Sequence, residues 1–334
     1  MTATLTMTEY KARIDRQTWD FIAHTGSFYP DDTTCLTIAD QRVLYDRLCR
    51  AFNRGRPDGV TSQDDVAGTV PCRFYSSRDG TAHKTISATA TTRCLVVYFH
   101  GGGFVLGGLD SHDDICAELC ADSGFDLAAV DYRLAPEHRH PAMFDDAVQA
   151  TRHFIAAGRG PVILCGDSAG GNLAAAVAHK LRGETDRIIG QVLIYPSLGP
   201  DTGQGSYAEH AQAPMLSRSD MQFYLESRCG GAVDASDTTL YPLADTVFSN
   251  LPPTIIITAE CDPLSDDGRH YRDAIQAAGG QAAWIEETGL VHGFLRARGT
   301  VDRATASFNR ISNALRMLGS GNWKNDGQQA RAGS

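Results

Sequence analysis

Five short apolar runs, at 95–99, 127–130, 162–165, 192–195 and 254–258, recur down the middle of the chain with helix-like stretches at 112–123, 141–156, 172–181 and 266–278 between or after them. Runs this short, apolar at nearly every position, suit strands covered on both faces. Strands of that kind alternating with helices predict a mostly parallel, doubly wound α/β sheet flanked by helices. Residues 282–286 supply a last strand and 301–318 a closing helix. With 334 residues and 42% hydrophobic content, the chain can bury a large core.

Two segments fall outside this rhythm. Residues 1–55 carry helical periodicity, with Ile38, Leu44, Leu48 and Phe52 tracing one face, and show no obvious strand. The stretch 197–253 far exceeds the 2–6 residues of an ordinary αβ connection. Within it Ser217-Arg218-Ser219-Asp220 opens a helix whose Met221, Tyr224 and Leu225 form an apolar stripe, more in keeping with core than with a ligand site. The two segments are expected to form a helical cap over one end of the sheet. The expected division is 1–55 cap, 56–198 core, 199–250 cap insertion, 251–319 core and 320–334 a disordered tail rich in Gly, Asn and Gln.

Charge and cysteine usage remove several function classes. Thirty Lys and Arg against forty Asp and Glu leave a net charge of −10, which repels nucleic acid and anionic membrane surfaces. Lysine occurs only at 11, 84, 180 and 324, never after a glycine, so a P-loop is excluded. The nine cysteines lack C-x-x-C spacing, which argues against a disulfide framework or a zinc site. Cys116 and Cys120, four apart on a helix, are expected to pack. His138 and His140 are expected to be solvated, and the acid pairs at 113–114, 145–146 and 266–267 to serve helix starts. The first residues lack an apolar signal core and no run approaches a membrane span, so a soluble, cytoplasmic protein is expected. The sequence leaves association into a homodimer open.

Gly166-Asp167-Ser168-Ala169-Gly170 follows one apolar run and precedes an Ala-rich helix. A serine at the apex of a strand-turn-helix needs flanking glycines so that strand and helix can approach closely, which is the setting of a nucleophile elbow. Upstream, His100-Gly101-Gly102-Gly103-Phe104 follows another strand, and consecutive glycines let backbone N–H groups approach an oxyanion. A dinucleotide fingerprint begun at Gly101 fails at Leu106. A serine nucleophile needs a base, and the base an orienting carboxylate, in the order Ser, Asp or Glu, His. Asp262 just past the run 254–258 and His292 beyond the last strand have that order, with Glu260, Asp266 and Asp267 as rival carboxylates.

From about residue 95 to 294 the chain resembles the hormone-sensitive-lipase-like esterases of the α/β-hydrolase superfamily, close to the bacterial acetyl esterases. The resemblance rests on His-Gly-Gly-Gly-Phe (100–104), Asp-Tyr-Arg-Leu-Ala-Pro-Glu-His (131–138), Gly-Asp-Ser-Ala-Gly-Gly-Asn (166–172), Asp-Pro-Leu-Ser-Asp-Asp-Gly (262–268) and His-Gly-Phe (292–294). It implies an α/β-hydrolase fold with a helical cap, Ser168 as nucleophile, His292 as base, Asp262 as its partner, and Gly101, Gly102 and Ala169 as oxyanion donors. The 131–137 loop is then structural. The implied activity is hydrolysis of small-molecule esters with acyl chains of about C2 to C8 through an acyl-enzyme, with neither metal nor cofactor. Tyr195, Leu216 and Val291 are the expected pocket walls. An amidase or deacetylase using the same triad is the alternative, and a silent ligand-binding protein a weaker one.

Overall fold

A computed structural model describes residues 4–30, 36–77, 94–200 and 202–323. The apolar runs become the strands β3 (Leu95–Phe99), β4 (Asp126–Val130), β5 (Val162–Asp167), β6 (Ile188–Ile194), β7 (Thr254–Cys261) and β8 (Ala282–Val291). They follow the order β4-β3-β5-β6-β7-β8 and all pair in parallel. Because side chains alternate across a strand, each run feeds two cores at once. Leu95, Val97 and Phe99 of β3 join one cluster, with Val162 and Leu164 of β5; Val96, Tyr98, Ile163 and Cys165 join the other. The helices α5 (Ala142–Ala156), α6 (Ala169–Leu181) and α9 (Ser265–Ala277) close the first core. The second is closed by α4 (Asp113–Ser123) and α10 (Asp302–Gly319). Cys116 and Cys120 of α4 are fully buried, where loss of hydration pushes both thiols up, Cys120 to about 12, as packing residues require.

A hairpin without counterpart in the sequence reading extends the sheet. β1 (Thr61–Ala67) and β2 (Val70–Ser76) turn at Gly68 and add antiparallel strands beyond β4. β1 reads TSQDDVA and is exposed along most of its length, so it lacks the apolar run that marks a strand buried on both faces.

Outside the sheet, α1 (Met7–Arg13), α2 (Arg16–Gly26) and α3 (Ile38–Phe52) precede it, and α7 (Ser206–Glu209) and α8 (Arg218–Cys229) follow β6. Capping boxes start α1 at Thr6, α3 at Thr37 and α8 at Ser217, the last as the sequence indicates. The two segments touch: Leu5 N–H donates to the Glu209 carbonyl at 2.8 Å, and the Tyr10 hydroxyl lies 2.9 Å from His210 Nδ1. Arg42 of α3 donates to the carbonyls of Val105 and Ala135 and forks onto Glu137, which gives the 131–137 loop a structural task. Residues 320–323 finish the turn after α10, and the rest of the expected tail, 324–334, lies outside the described residues. Among the described residues no helix is long and apolar enough to cross a membrane.

Candidate active site

Three strands of the parallel sheet, β5, β7 and β8, each deliver one polar side chain to the same place, with β6 lying between the first two. Ser168 sits between β5 and α6 at φ 55° and ψ −117°, a left-handed conformation that costs on the order of 1–3 kcal/mol and persists only where its surroundings hold it. Its N–H donates to the Ile194 carbonyl at 2.8 Å. The flanking glycines are required by contact. A Cβ on Gly166 would strike the Gly170 backbone, and one on Gly170 the Phe99 carbonyl.

Asp262 follows β7 and is fully buried. Its Oδ1 accepts from the Leu264 N–H at 2.9 Å, and its Oδ2 lies 2.7 Å from His292 Nδ1. The other ring nitrogen of His292, Nε2, lies 2.9 Å from Ser168 Oγ. The rival carboxylates are engaged elsewhere. Glu260 accepts from the Gly289 N–H, and Asp266 pairs with Arg269. Asp267 accepts from the N–H groups of Leu198 and Gly199 and from the Tyr207 hydroxyl.

The glycine loop corrects one expectation. The Gly101 N–H donates to Asp167 Oδ1 at 2.9 Å, so it is not free to hold an oxyanion, and a Cβ at Gly101 would meet the same carboxylate. Gly102 and Gly103 instead line the cavity at φ 121° and 62°, and Ala169, the first residue of α6, lines it as well. Of the three glycines, Gly102 and Gly103 are therefore the ones that line the cavity together with Ala169. In a run of three glycines the sequence does not mark which N–H is consumed. The one sequence signal is Asp167, the acid beside the serine, which takes the Gly101 N–H.

Asp167 anchors that loop from below. It accepts from the Tyr98 hydroxyl at 2.7 Å and lies 3.4 Å from His112 Nε2. Burial works to raise its carboxyl, but His112, Tyr98 and Arg296 outweigh it and hold the group well below the usual carboxylate range. His100 is buried beside it with Nδ1 2.8 Å from the Gly101 carbonyl, and burial pushes its pKa down to about 3. It is therefore neutral and carries its proton on Nδ1.

The cavity above Ser168 and His292 encloses about 710 Å³, within the range of small-molecule sites. Tyr195 and Leu216 line it as expected; the Tyr195 ring lies 4.7 Å from that of His292. Val291 does not line it. As the last residue of β8, paired with Cys261 and fully buried, it faces the core, and the cavity is reached by the residues after it, beginning with His292 and Gly293. Phe21, Tyr45, Arg228 and Arg296 also line it and were not anticipated. The first two sit on helices whose burial depends on the fold. The arginines carry no motif. His138 and His140 stand apart from the cavity, and His140 is not solvated but meets Asp237 and Thr239 at 3.1 and 3.0 Å.

Known proteins resemble this arrangement. The family described as alpha/beta hydrolase fold matches residues 96–296. Esterase LipI of Mycobacterium tuberculosis is 39% identical over 67% of this chain and 72% of its own length. The ethyl acetate hydrolase of Pseudomonas putida is 32% identical over 75% of this chain and 79% of its own length. A solved hyperthermophilic esterase from Pyrobaculum calidifontis superposes with a TM-score of 0.81 at 27% identity, covering 92% of this chain and 99% of that one. The chain thus belongs to the alpha/beta hydrolase fold family and, within it, to the hormone-sensitive-lipase-like esterases.

Proposed function

We propose that the protein is a serine carboxylesterase that cleaves short acyl esters through an acyl-enzyme. The observation that carries this reading is the continuous line of contacts from Ser168 Oγ to His292 Nε2 at 2.9 Å and from His292 Nδ1 to Asp262 at 2.7 Å. Asp262 keeps the Nδ1 proton on the imidazole, which leaves Nε2 as acceptor for the serine proton. Oγ then bonds to the ester carbonyl carbon, and the carbonyl oxygen gains the displaced electron pair. The N–H groups of Gly102, Gly103 and Ala169 hold that oxyanion. His292 returns the proton to the departing alcohol. Water repeats the sequence on the acyl-serine and releases the acid.

The helices α1–α3, α7 and α8 act as a cap that selects the acyl group. Apolar side chains of α2, α3, α7 and α8 share one cavity with Ser168, and its volume of about 710 Å³ favours chains of about C2 to C8. Each further CH₂ gains about 0.8 kcal/mol only while the wall still has room for it.

The test is hydrolysis of a p-nitrophenyl acyl series, together with an arylamide of the same acyl group, by wild type and Ser168→Ala. The wild type is expected to hydrolyse acetyl and butyryl esters faster than esters beyond about C10 and to act poorly on the amide. The Ala variant should lose on the order of 10⁵ in kcat or more. Unchanged kcat in the Ala variant would overturn the nucleophile assignment; faster amide cleavage would make the protein an amidase.

A further inference from the structure

Two arginines near this site are deeply buried, and they are treated differently. Arg298 is 2% exposed and forks onto Asp114 and Glu118, so its charge is matched. Arg228, in the last turn of α8, is 3% exposed and has no carboxylate within ion-pair distance among the described residues. Its guanidinium carbon lies 3.6 Å from the centroid of the Phe104 ring, and Nη2 makes one long contact, 3.3 Å, to Asn172 Oδ1. Nε is buried without any partner.

Burial pushes the Arg228 pKa down to about 10, so the group still carries its charge at neutral pH. Asp237 is near enough to attract the Arg228 charge but not to pair with it, and a buried cation without a direct partner is unfavourable, since such groups are ordinarily paired. Arg228 lines the same cavity as Ser168 and His292. It is carried by the helix whose Tyr224 packs over Gly103 of the oxyanion loop. The other charged groups on that wall are occupied. Asp220 caps its own helix at Ser217, and Arg296 donates to the Ser111 carbonyl and the Tyr45 hydroxyl.

We propose that Arg228 is the anchor for a carboxylate carried by the substrate, so that the ester this site is built for is an anionic one. With Nε sealed and Nη2 on Asn172, the guanidinium over Phe104 presents its Nη end to one carboxylate. The carboxylate can come from the acyl side, as in a monoester of a dicarboxylic acid, or from the alcohol side, as in an ester of a hydroxy acid. This inference rests on the esterase reading above.

The experiment compares matched pairs of esters. On the acyl side the pair is mono-p-nitrophenyl succinate and its neutral methyl ester; on the alcohol side it is 4-acetoxybenzoate and its methyl ester. Wild type is expected to favour the anionic member of one pair by about tenfold or more in kcat/KM, mostly through KM, and that pair identifies the source of the carboxylate. Arg228→Met should lower the anionic-to-neutral ratio on the order of 30-fold, the loss typical of a buried charge pair deprived of one partner. Arg228→Lys, which keeps the charge without the fork, should retain part of the preference. Neutral esters hydrolysed with a wild-type ratio at or below one in both pairs would overturn the proposal and leave the esterase reading standing, even if the Met variant fails to fold. A preference that survives unchanged in Arg228→Met would also overturn it. Failure of wild type to hydrolyse all four esters, with Ser168 unreactive toward a fluorophosphonate, would overturn both readings.

Discussion

The two walls of the cavity are held in different ways. On the sheet side polar groups are tied down: Asp262 to the Leu264 N–H, Asp167 to Tyr98 and Gly101, Ser168 to the Ile194 carbonyl. On the helix side Met221 and Tyr224 meet Tyr207, Leu216 and Leu264 by apolar contact, and the polar ties run through long side chains, Arg42 to the 131–137 loop and Arg228 to Asn172. Directional bonds hold a reacting constellation to fractions of an ångström, which charge stabilisation demands. Apolar contact tolerates exchange of side chains at similar volume. Changes on the sheet side should therefore alter rate, and changes on the helix side should alter choice of substrate.

After loss of the nucleophile itself, the largest effect should come from Asp262→Asn. An amide in that position stabilises the wrong imidazole tautomer, and kcat should fall on the order of 10⁴-fold with KM little changed, by analogy with serine proteases. Glu260→Gln should cost far less, since Glu260 accepts from the Gly289 N–H and faces Arg13. If the order of the two reverses in steady-state kinetics, the orienting carboxylate is Glu260.

Gly102→Ala should come next. At φ 121° a side chain is strained, and its Cβ would strike the Leu106 carbonyl, so the loop must shift and an oxyanion donor is lost. Loss of one donor costs about 10²–10³ in kcat. Normal kcat in a folded Ala variant would place the oxyanion elsewhere.

Met221→Trp probes the other wall. The larger ring should shorten the cavity and lower kcat/KM for octanoyl relative to acetyl esters about tenfold, the value of burying one or two CH₂ groups. A uniform loss across the acyl series would mean that α8 acts on the chemistry and that the contrast between the walls fails.

The same contrast decides what could be read from the sequence. Ser168, Asp262 and His292 were legible because acyl transfer requires those residue types in a fixed order at strand ends, and strand ends show as breaks in apolar runs. The parallel strands β3 to β7 were legible for a related reason: burial on both faces leaves runs that are apolar at most positions. β1 was not, since a polar edge strand is recognised only by the partner it pairs with. The resemblance implies Gly101 as an oxyanion donor, and only the structure shows that Asp167 takes its N–H. Val291 fell one residue short of the cavity, a difference that strand register sets and composition does not. Arg228 was invisible because its significance lies in what does not pair with it.

The smallest effect concerns stability on the sheet side. His100 is buried, and its folded pKa of about 3 lies below the unfolded value of 6.5. A depressed pKa on a base means that the neutral imidazole is the form the fold accepts. Its contribution is therefore complete above pH 6.5 and is lost as pH falls toward 3, because the unfolded chain takes up a proton that the folded chain refuses. By pH 5.5 the loss amounts to about 1 kcal/mol, one unit below the unfolded pKa. His100→Asn removes the titrating group, so its urea-unfolding free energy should fall less between pH 7.5 and 5.5 than that of wild type, by about that amount. The comparison is a difference of differences, so any constant cost of the substitution cancels. Equal acid sensitivity in the two proteins would mean that His100 is protonated in the fold. The Nδ1–H contact to the Gly101 carbonyl would then not depend on a neutral ring.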